Sequence, residues 1–499
     1  MQQTLERPSA EQQTEPPQGG AAPAAAPKAP PGPQGRETLR MLRVLARQEG
    51  PLEFLDQMGA RYGDVALLDA PKRALLAVKG PEALRHVLLA NQDNYGKSNQ
   101  YELLTPVLGN GLVTSEGELW QRQRKLVQPM FAKRHLEPFA DHMAAAADSA
   151  LSAWDAGWED GRRIELSREI LHIGLDTVGR ALVSHDFSSH SEAFGEALAN
   201  ALHQVGAASR SVGVNAIQVL PRMTVKRATR LANNRRWKSG MASADVLVGI
   251  AREMIDERLR NGHGDRDDLL RLLMEATDEE TGQHMSRQQV LDELLTFVAA
   301  GHETTAHGLS WMYYLLSQNP QAREQLEAEV EEVLGGRIPL ADDVERLPWT
   351  KACFEEAMRI FPPVWHVQRV ALDDDVICGY SVAKGTRVFA SIWTTHRDPS
   401  IWENPAGFDP RRWLGDAPKE RPRFSYLPFG GGRRICVGQG FAMMNATILA
   451  AMIAQRFRFD FVPGSKIVLD PTVTLRPLHG IPVTVHRRTR GQVPGPVAA

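Results

Sequence analysis

Phe429-Gly430-Gly431-Gly432-Arg433-Arg434-Ile435-Cys436-Val437-Gly438 sets a run of glycines ahead of a cysteine, and the helical pattern GFAMMNATILAAMIAQRF follows at 440–457. Glycines at these positions let the backbone turn tightly and approach a flat ligand, and a cysteine just ahead of a helix gains thiolate stabilisation from the helix dipole. A soft thiolate suits iron or copper(I). With one cysteine in the loop, an iron–sulfur cluster is disfavoured and an axial ligand to haem iron fits well. The loop lacks the GK[ST] of a phosphate loop, and Gly438-Gln439-Gly440 lacks the third glycine and preceding strand of a dinucleotide fingerprint.

Residues 286–318 are the second informative stretch. Ser286 and Gln289 have capping-box spacing and no proline intervenes before Pro320, which predicts roughly 32 residues of helix, ~48 Å at ~1.5 Å per residue. A helix that long crosses the body of a domain. After the apolar LLTFVAA it carries Gly301-His302-Glu303-Thr304-Thr305, where a carboxylate is expensive to bury, glycine weakens the helix and threonine can divert its hydroxyl to a carbonyl one turn back. Such a cluster in mid-helix points to a site. A zinc-protease reading needs two histidines four apart; His302 and His307 are five apart, ~140° around a regular helix, and cannot share one tetrahedral ion. Taken alone, the cluster also reads as a solvated polar stripe. Glu356 and Arg359, three apart on one helix face, and the turn Phe408-Asp409-Pro410-Arg411-Arg412-Trp413 are each ordinary singly. Their order is not: a long helix with an acid–threonine pair, then ExxR, then a Pro-x-Arg-aromatic turn, then the cysteine loop.

The rest of the chain frames these motifs. Among 499 residues, 58 Lys plus Arg meet 60 Asp plus Glu, a net charge of −2 that excludes a nucleic-acid-coating protein. At 42% hydrophobic residues a large core is available. The only cysteines, Cys353, Cys378 and Cys436, exclude a disulfide scaffold, and no CxxC pair exists. Cys353 on the ExxR helix and Cys378 in a strand read as small packing residues. Residues 1–36 are Pro/Ala/Gln-rich and have almost no large apolar side chain with which to offset ordering entropy, so a disordered tail is expected there, with a frayed tail at 491–499. No repeated PxxP with flanking basic residues marks the first tail as a docking arm. Helical patterns at 242–261, 286–318, 320–334 and 347–360, the last stopped by Pro362-Pro363, outweigh β-like runs at 63–68, 74–80, 376–390 and around 466–486. The expected fold class is mainly α with small β-sheets (α+β), one large domain over 37–490 without repeats or a long linker. No apolar run of ~20 residues and no basic-then-apolar leader occurs, so a cytoplasmic protein without a transmembrane anchor is expected.

The ordered motifs resemble those of the cytochrome P-450 superfamily of haem-thiolate monooxygenases, over essentially residues 40–490. The resemblance implies a single haem domain whose long central helix crosses the haem. It implies Cys436 as the proximal iron ligand of haem b (iron protoporphyrin IX), Phe429 packed beside the thiolate, Arg434 directed at a haem propionate, and Gly438 in the cofactor loop. Ala300, Gly301, Glu303 and Thr304 match the oxygen-binding groove, with Glu303 and Thr304 in the catalytic role. Glu356, Arg359 and Arg412 match a buried salt-bridge triad. Trp120 and Arg124 fit the WxxxR helix that reaches the propionates, and Arg369 fits another propionate contact. Arg411 stands where the family often has Glu, which puts a peripheral ion pair in doubt.

By the same resemblance, Thr304 and Glu303 hold oxygen and relay protons while O2 is cleaved, and the protein inserts one oxygen atom into a substrate C–H or C=C bond. A peroxide-dependent hydroxylase, or a thiolate-haem isomerase or dehydratase, is the alternative on this fold; such relatives often lack the acid–threonine pair present here. A haem-binding sensor is the non-enzymatic alternative. With no flavin or ferredoxin module in view, electrons from NAD(P)H are expected through a separate ferredoxin or flavodoxin and its reductase, with Arg122, Lys125 and Arg433 as a basic docking patch on a monomer. The pocket expected by analogy takes the 99–118 loop, the segment around 195–235, Leu294, Phe297, Val298, Val364, Trp365, His366, Val473 and Thr474. Its mainly apolar lining implies a lipophilic substrate such as a fatty acid, terpenoid or polyketide, with His366 as a polar group to orient it.

Overall fold

The computed structural model describes residues 26–70, 73–184, 191–210, 234–264 and 266–488. The C-terminal tail 491–499, residues 1–25, and 211–233 of the expected pocket segment lie outside them. Eleven helices of eight or more residues are found among the described residues: α1 Arg36–Leu45, α2 Gly50–Tyr62, α3 Gly117–Val127, α4 Lys133–Gly157, α5 Leu166–Val183, α6 Ser191–Arg210, α7 Asn234–Asn261, α8 Arg287–Gln318, α9 Pro320–Leu334, α10 Pro348–Ile360 and α11 Gln439–Arg456. Short strands are β1 Val65–Ala70, β2 Arg73–Val78, β3 Tyr95–Lys97, β4 Arg163–Glu165, β5 His366–Ala371, β6 Asp375–Ile377, β7 Tyr380–Val382, β8 Arg387–Ser391, β9 Phe457–Phe461, β10 Leu469–Pro471, β11 Leu475–Pro477 and β12 Pro482–Arg487.

The 32-residue helix α8 forms as its sequence dictates. Ser286 Oγ accepts the Gln289 N–H at 3.2 Å while the Gln289 side chain accepts the Ser286 N–H at 2.9 Å, closing the capping box. Proline ends it by opening α9 at Pro320. Apolar side chains surround α8 on nearly all sides, so it runs through the core, against α5, α7, α10 and α11, rather than along a surface.

A five-stranded sheet, order β1-β2-β8-β5-β3, flanks this helical body; β2 and β8 run parallel and the other pairs antiparallel. Period-two alternation gives it two apolar faces. Leu76 and Val78 pack with Val388 and Ala390, while Leu75 and Ala77 pack under Phe54, Leu55 and Met58 of α2. The run at 376–390 breaks into β6, β7 and β8, and Cys378 lies exposed at the β6–β7 turn with φ +49°, not packed within a strand. β3, β4, β5 and β9 are strands that the periodicity did not announce, since three to six residues carry too little pattern.

Part of the stretch expected as a tail, residues 26–35, is held by backbone hydrogen bonds. Residues 26–35 run against the sheet: Lys28 pairs with Tyr380 as a parallel bridge, and the Leu67 N–H donates to Pro31 O at 2.8 Å. Backbone hydrogen bonds need no apolar side chain, so composition could not announce them.

Candidate functional site

The 429–438 loop turns on Gly430 and Gly432, both with positive φ, and closes with the Cys436 N–H donating to Phe429 O at 3.0 Å. A Cβ at Gly432 would stand 1.7 Å from Leu88 O, so only glycine fits. Gly438 caps α11, and its N–H points at the Cys436 sulfur. Burial pushes the Cys436 thiol up; the Gly438 N–H and the Arg124 guanidinium pull it back. Arg124, one turn after Trp120 on α3, donates to Ile435 O at 2.7 Å and so ties that helix to the loop.

Between this loop and α8 lies a cavity of about 320 Å³. Cys436, Phe429, Val437 and Gly438 line one side, and Phe297, Ala300, Gly301 and Thr304 the other. Cys436 and Ala300 are accessible, although deep in the domain, because they open onto it. The Thr304 hydroxyl donates to Ala300 O at 2.6 Å, one turn back. A wider groove of about 700 Å³ between 344–355 and 413–426 touches neither Thr304 nor Cys436.

Cations gather on the cavity wall. Arg434 stacks 4.4 Å over the Trp120 ring and donates to Glu116 at 2.5 Å, while its Nη1 is buried without a partner. Arg369 on β5 and Lys97 on β3 are cross-strand neighbours, a like-charge pairing that needs an anion nearby. Burial, with Arg434 and Arg369 close by, lowers Lys97 to about 7. A thiol on the floor, a helix groove above it and cations with an unused N–H at the rim fit haem with its two propionates. Tyr101 of the expected 99–118 loop lines the cavity, as does Lys97, which the sequence pattern did not mark. The signal of Lys97 is non-local, carried by the β3–β5 pairing.

The other expected residues are distributed differently. Glu356 and Arg359 are 0% exposed and paired through two bonds of 2.8 and 2.9 Å, with Arg412 on Glu356 at 3.3 Å. Arg359 also donates to the carbonyls of His396, Pro405 and Gly407, and Trp413 Nε1 donates to Glu356 at 3.0 Å. Arg411 pairs with Asp409 outside this cluster. Glu303 is about 100° around α8 from Thr304 and does not line the cavity; its Oε2 accepts the Thr474 hydroxyl at 3.1 Å, and His307 Nε2 lies 4.0 Å from its Oε1. Burial raises the Glu303 carboxyl, opposed by Arg476 and by the Thr474 hydroxyl. His302 instead faces Leu171 O at 2.9 Å.

Of the expected pocket residues, Phe297 and Val364 line the cavity, as do Leu112 and Val113 of the 99–118 loop. Leu294 and Val298 face the helical core, and Val473 packs against it. Trp365 is buried under the sheet against α1 and α2, donating to Thr472 O at 3.3 Å. His366 sits 3.0 Å from the Gln368 side chain. It shares a strand face with Gln368, whereas Val367 and Arg369 turn to the cavity. The expected basic patch is not free. Arg122 pairs with Asp278 at 2.9 Å, Lys125 with Glu280 at 2.8 Å, and Arg433 with Asp93. Each cation meets an acid distant in sequence, which the reading of charges in order could not anticipate.

The profile of the cytochrome P450 family matches residues 30–480. The chain belongs to the cytochrome P450 family. Relatives of this P450 include the cyclooctatin synthase of Streptomyces melanosporofaciens, 38% identical over 442 residues that cover 88% of this chain and 92% of that protein. The cyclooctat-9-en-7-ol 5-monooxygenase of the same organism is 34% identical over 424 residues, covering 85% and 88%. Among solved structures, the cytochrome P450DA heme domain superposes with a TM-score of 0.81 at 26% identity, covering 93% of this chain and 99% of that one. Membership brings haem, molecular oxygen and the monooxygenase class of oxidoreductase chemistry. P450s draw electrons from redox partners, and among the described residues no helix is long and apolar enough to cross a membrane.

Proposed function

We propose that this P450 places one oxygen atom of O2 into a C–H or C=C bond of a cyclic terpenoid hydrocarbon or its alcohol, with electrons passed from NAD(P)H by a separate ferredoxin or flavodoxin and its reductase. The observation that carries the reading is that Cys436 and Thr304 line one slot with the unused Arg434 N–H at its rim. Cys436 would hold the haem iron, and Arg434, Arg369, Lys97 and Trp120, which line the cavity, would hold the propionates. Bound there, haem supplies oxygen activation, with thiolate donation favouring O–O cleavage. Thr304 Oγ1 holds a proton on Ala300 O; rotation about χ1 turns the same O–H into the cavity, and the helix carbonyl is left to water. Burial raises Glu303, which faces Thr474 on the far side of α8, so within the cavity the O–H available for proton transfer is that of Thr304.

Support for the substrate class comes from the lining and the relatives together. Leu112, Val113, Phe297, Val364 and Val367 make the distal wall apolar, and the two Streptomyces relatives are named for cyclooctatin and for oxygenation of a cyclic alkenol. A reduced, carbon-monoxide-bound spectrum tests the thiolate. Cyclic alkenes and alkenols should then shift the resting haem absorption at lower concentration than fatty acids do; the reverse order removes the terpenoid assignment. Thr304→Ala should release more peroxide per electron pair by severalfold with haem still bound. Unchanged coupling would instead favour the peroxide-dependent or isomerase reading.

A further inference from the structure

Glu293 has no place in the chemistry so far, yet it is a carboxyl with 0% exposure in the second turn of α8. Its Oε2 accepts the Leu112 N–H at 3.0 Å, and its Oε1 is buried without a partner. The same Leu112 is gripped from the other side, where Lys97 Nζ donates to Leu112 O at 3.1 Å and to Ser115 O at 2.6 Å. One residue earlier on α8, Asp292 accepts the Asn110 N–H at 2.9 Å and is itself held by Gln288 at 2.7 Å. The loop approaches α8 so closely that Cβ atoms at Gly109 and Gly111 would fall 2.1 Å from Asp292 Oδ1 and 2.2 Å from Thr296 Oγ1. Leu112 and Val113, the residues so fixed, are walls of the cavity.

An amine and a carboxyl holding the C=O and N–H of one peptide residue make a clamp with a definite geometry. A buried carboxyl is costly to keep, and an apolar residue of the same length would fill its volume without that cost. Burial beside Asp292 raises Glu293 to about 7, with the Leu112 N–H and Lys97 acting against the shift. What the carboxyl provides in return is an acceptor that no apolar residue offers. Without it the Leu112 N–H is left unsatisfied in the closed position, and the loop gains by opening to water.

We infer that Glu293 is a positioning residue for the substrate: by holding Leu112 it keeps loop 109–115 closed over the cavity and limits the size and rate of ligand admission. The inference rests on the reading of the cavity as the substrate site. Holoenzyme with Glu293→Gln, which keeps a carbonyl acceptor, is compared with Glu293→Met, which fills the space and accepts nothing. Deuterium exchange over 104–118 should quicken about tenfold in Glu293→Met and less than twofold in Glu293→Gln, with α11 unchanged. The association rate of 4-phenylimidazole, followed by haem absorption, should rise about tenfold in Glu293→Met, while the carbon monoxide rate stays constant. Equal exchange in wild type and Glu293→Met overturns the clamp. Faster exchange with an unchanged phenylimidazole rate overturns its control of admission. Failure of the functional reading shows separately, as a wild-type protein without the thiolate signature in its carbon monoxide spectrum.

Discussion

Gly432 shows how much one residue can decide. Its φ of +68° already disfavours any side chain, and the carbonyl of Leu88 occupies the position a Cβ would take. Gly432→Ala should cost more than the ~1–2 kcal/mol of left-handed strain, because Leu88 O belongs to backbone and cannot step aside. The expected outcome is a lower Tm and loss of the thiolate spectrum together, since the displaced loop carries Cys436. Retention of both would show that the loop relaxes elsewhere. Cys436 and Gly432 were legible in the sequence because a tight loop is encoded within ten consecutive positions. His366 was not, because the side of a strand that a residue faces depends on how β5 is docked, and β5 was not recognised as a strand.

At the scale of elements, α10 is locked to the turn that precedes the cysteine loop. Arg359 spends all three guanidinium nitrogens on Glu356 and three carbonyls between 396 and 407, and both partners are fully buried. Lysine keeps the charge but cannot supply that fork, so Arg359→Lys leaves buried carbonyls between 396 and 407 without donors, while Glu356 keeps Arg412 and Trp413. A loss of about 2–4 kcal/mol is expected, the cost of one or two buried acceptors left unsatisfied. Urea unfolding should show it, and haem content should fall in parallel; a shift under ~1 kcal/mol would mean that those carbonyls find other donors. This triad was readable because ExxR places two partners on one helix face. The stripe of α8 on the cavity was half readable: spacing at 297, 300, 301 and 304 defines a face and Glu303 falls off it, whereas Leu294 shares the face by spacing but lies toward the helix N-terminus, short of the cavity.

Across the whole molecule, buried histidines tie stability to pH. His302, His307 and His396 are held neutral by burial, with values lowered to about 4, 3 and 3. His396 Nε2 also accepts the Leu427 N–H at 2.9 Å, a bond that protonation would break. A lowered folded value means that the unfolded chain binds protons first. The stabilisation is therefore complete above the unfolded value of ~6.5 and is lost as pH falls from there toward 4, at roughly 1.4 kcal/mol per group per pH unit. Urea midpoints measured from pH 7.5 to 4.5 should fall along this window, and more shallowly in His307→Gln, which cannot titrate. An identical slope in that variant would show that His307 takes up no proton on unfolding.

The sequence by itself determined the chemistry: a cysteine in a glycine loop, a threonine in a long helix and an ExxR pair, each with its spacing fixed by a few covalent bonds. Tertiary structure decided the surroundings. Strand pairing brought Lys97 beside Arg369 across some 270 residues of chain. Packing turned Glu303 toward Thr474 and supplied acids to Arg122, Lys125 and Arg433, and the loop over the cavity came to rest on Glu293. Local spacing sets which groups a short segment can present together; which groups meet across the fold depends on the register of sheets and the docking of helices, which no single segment encodes.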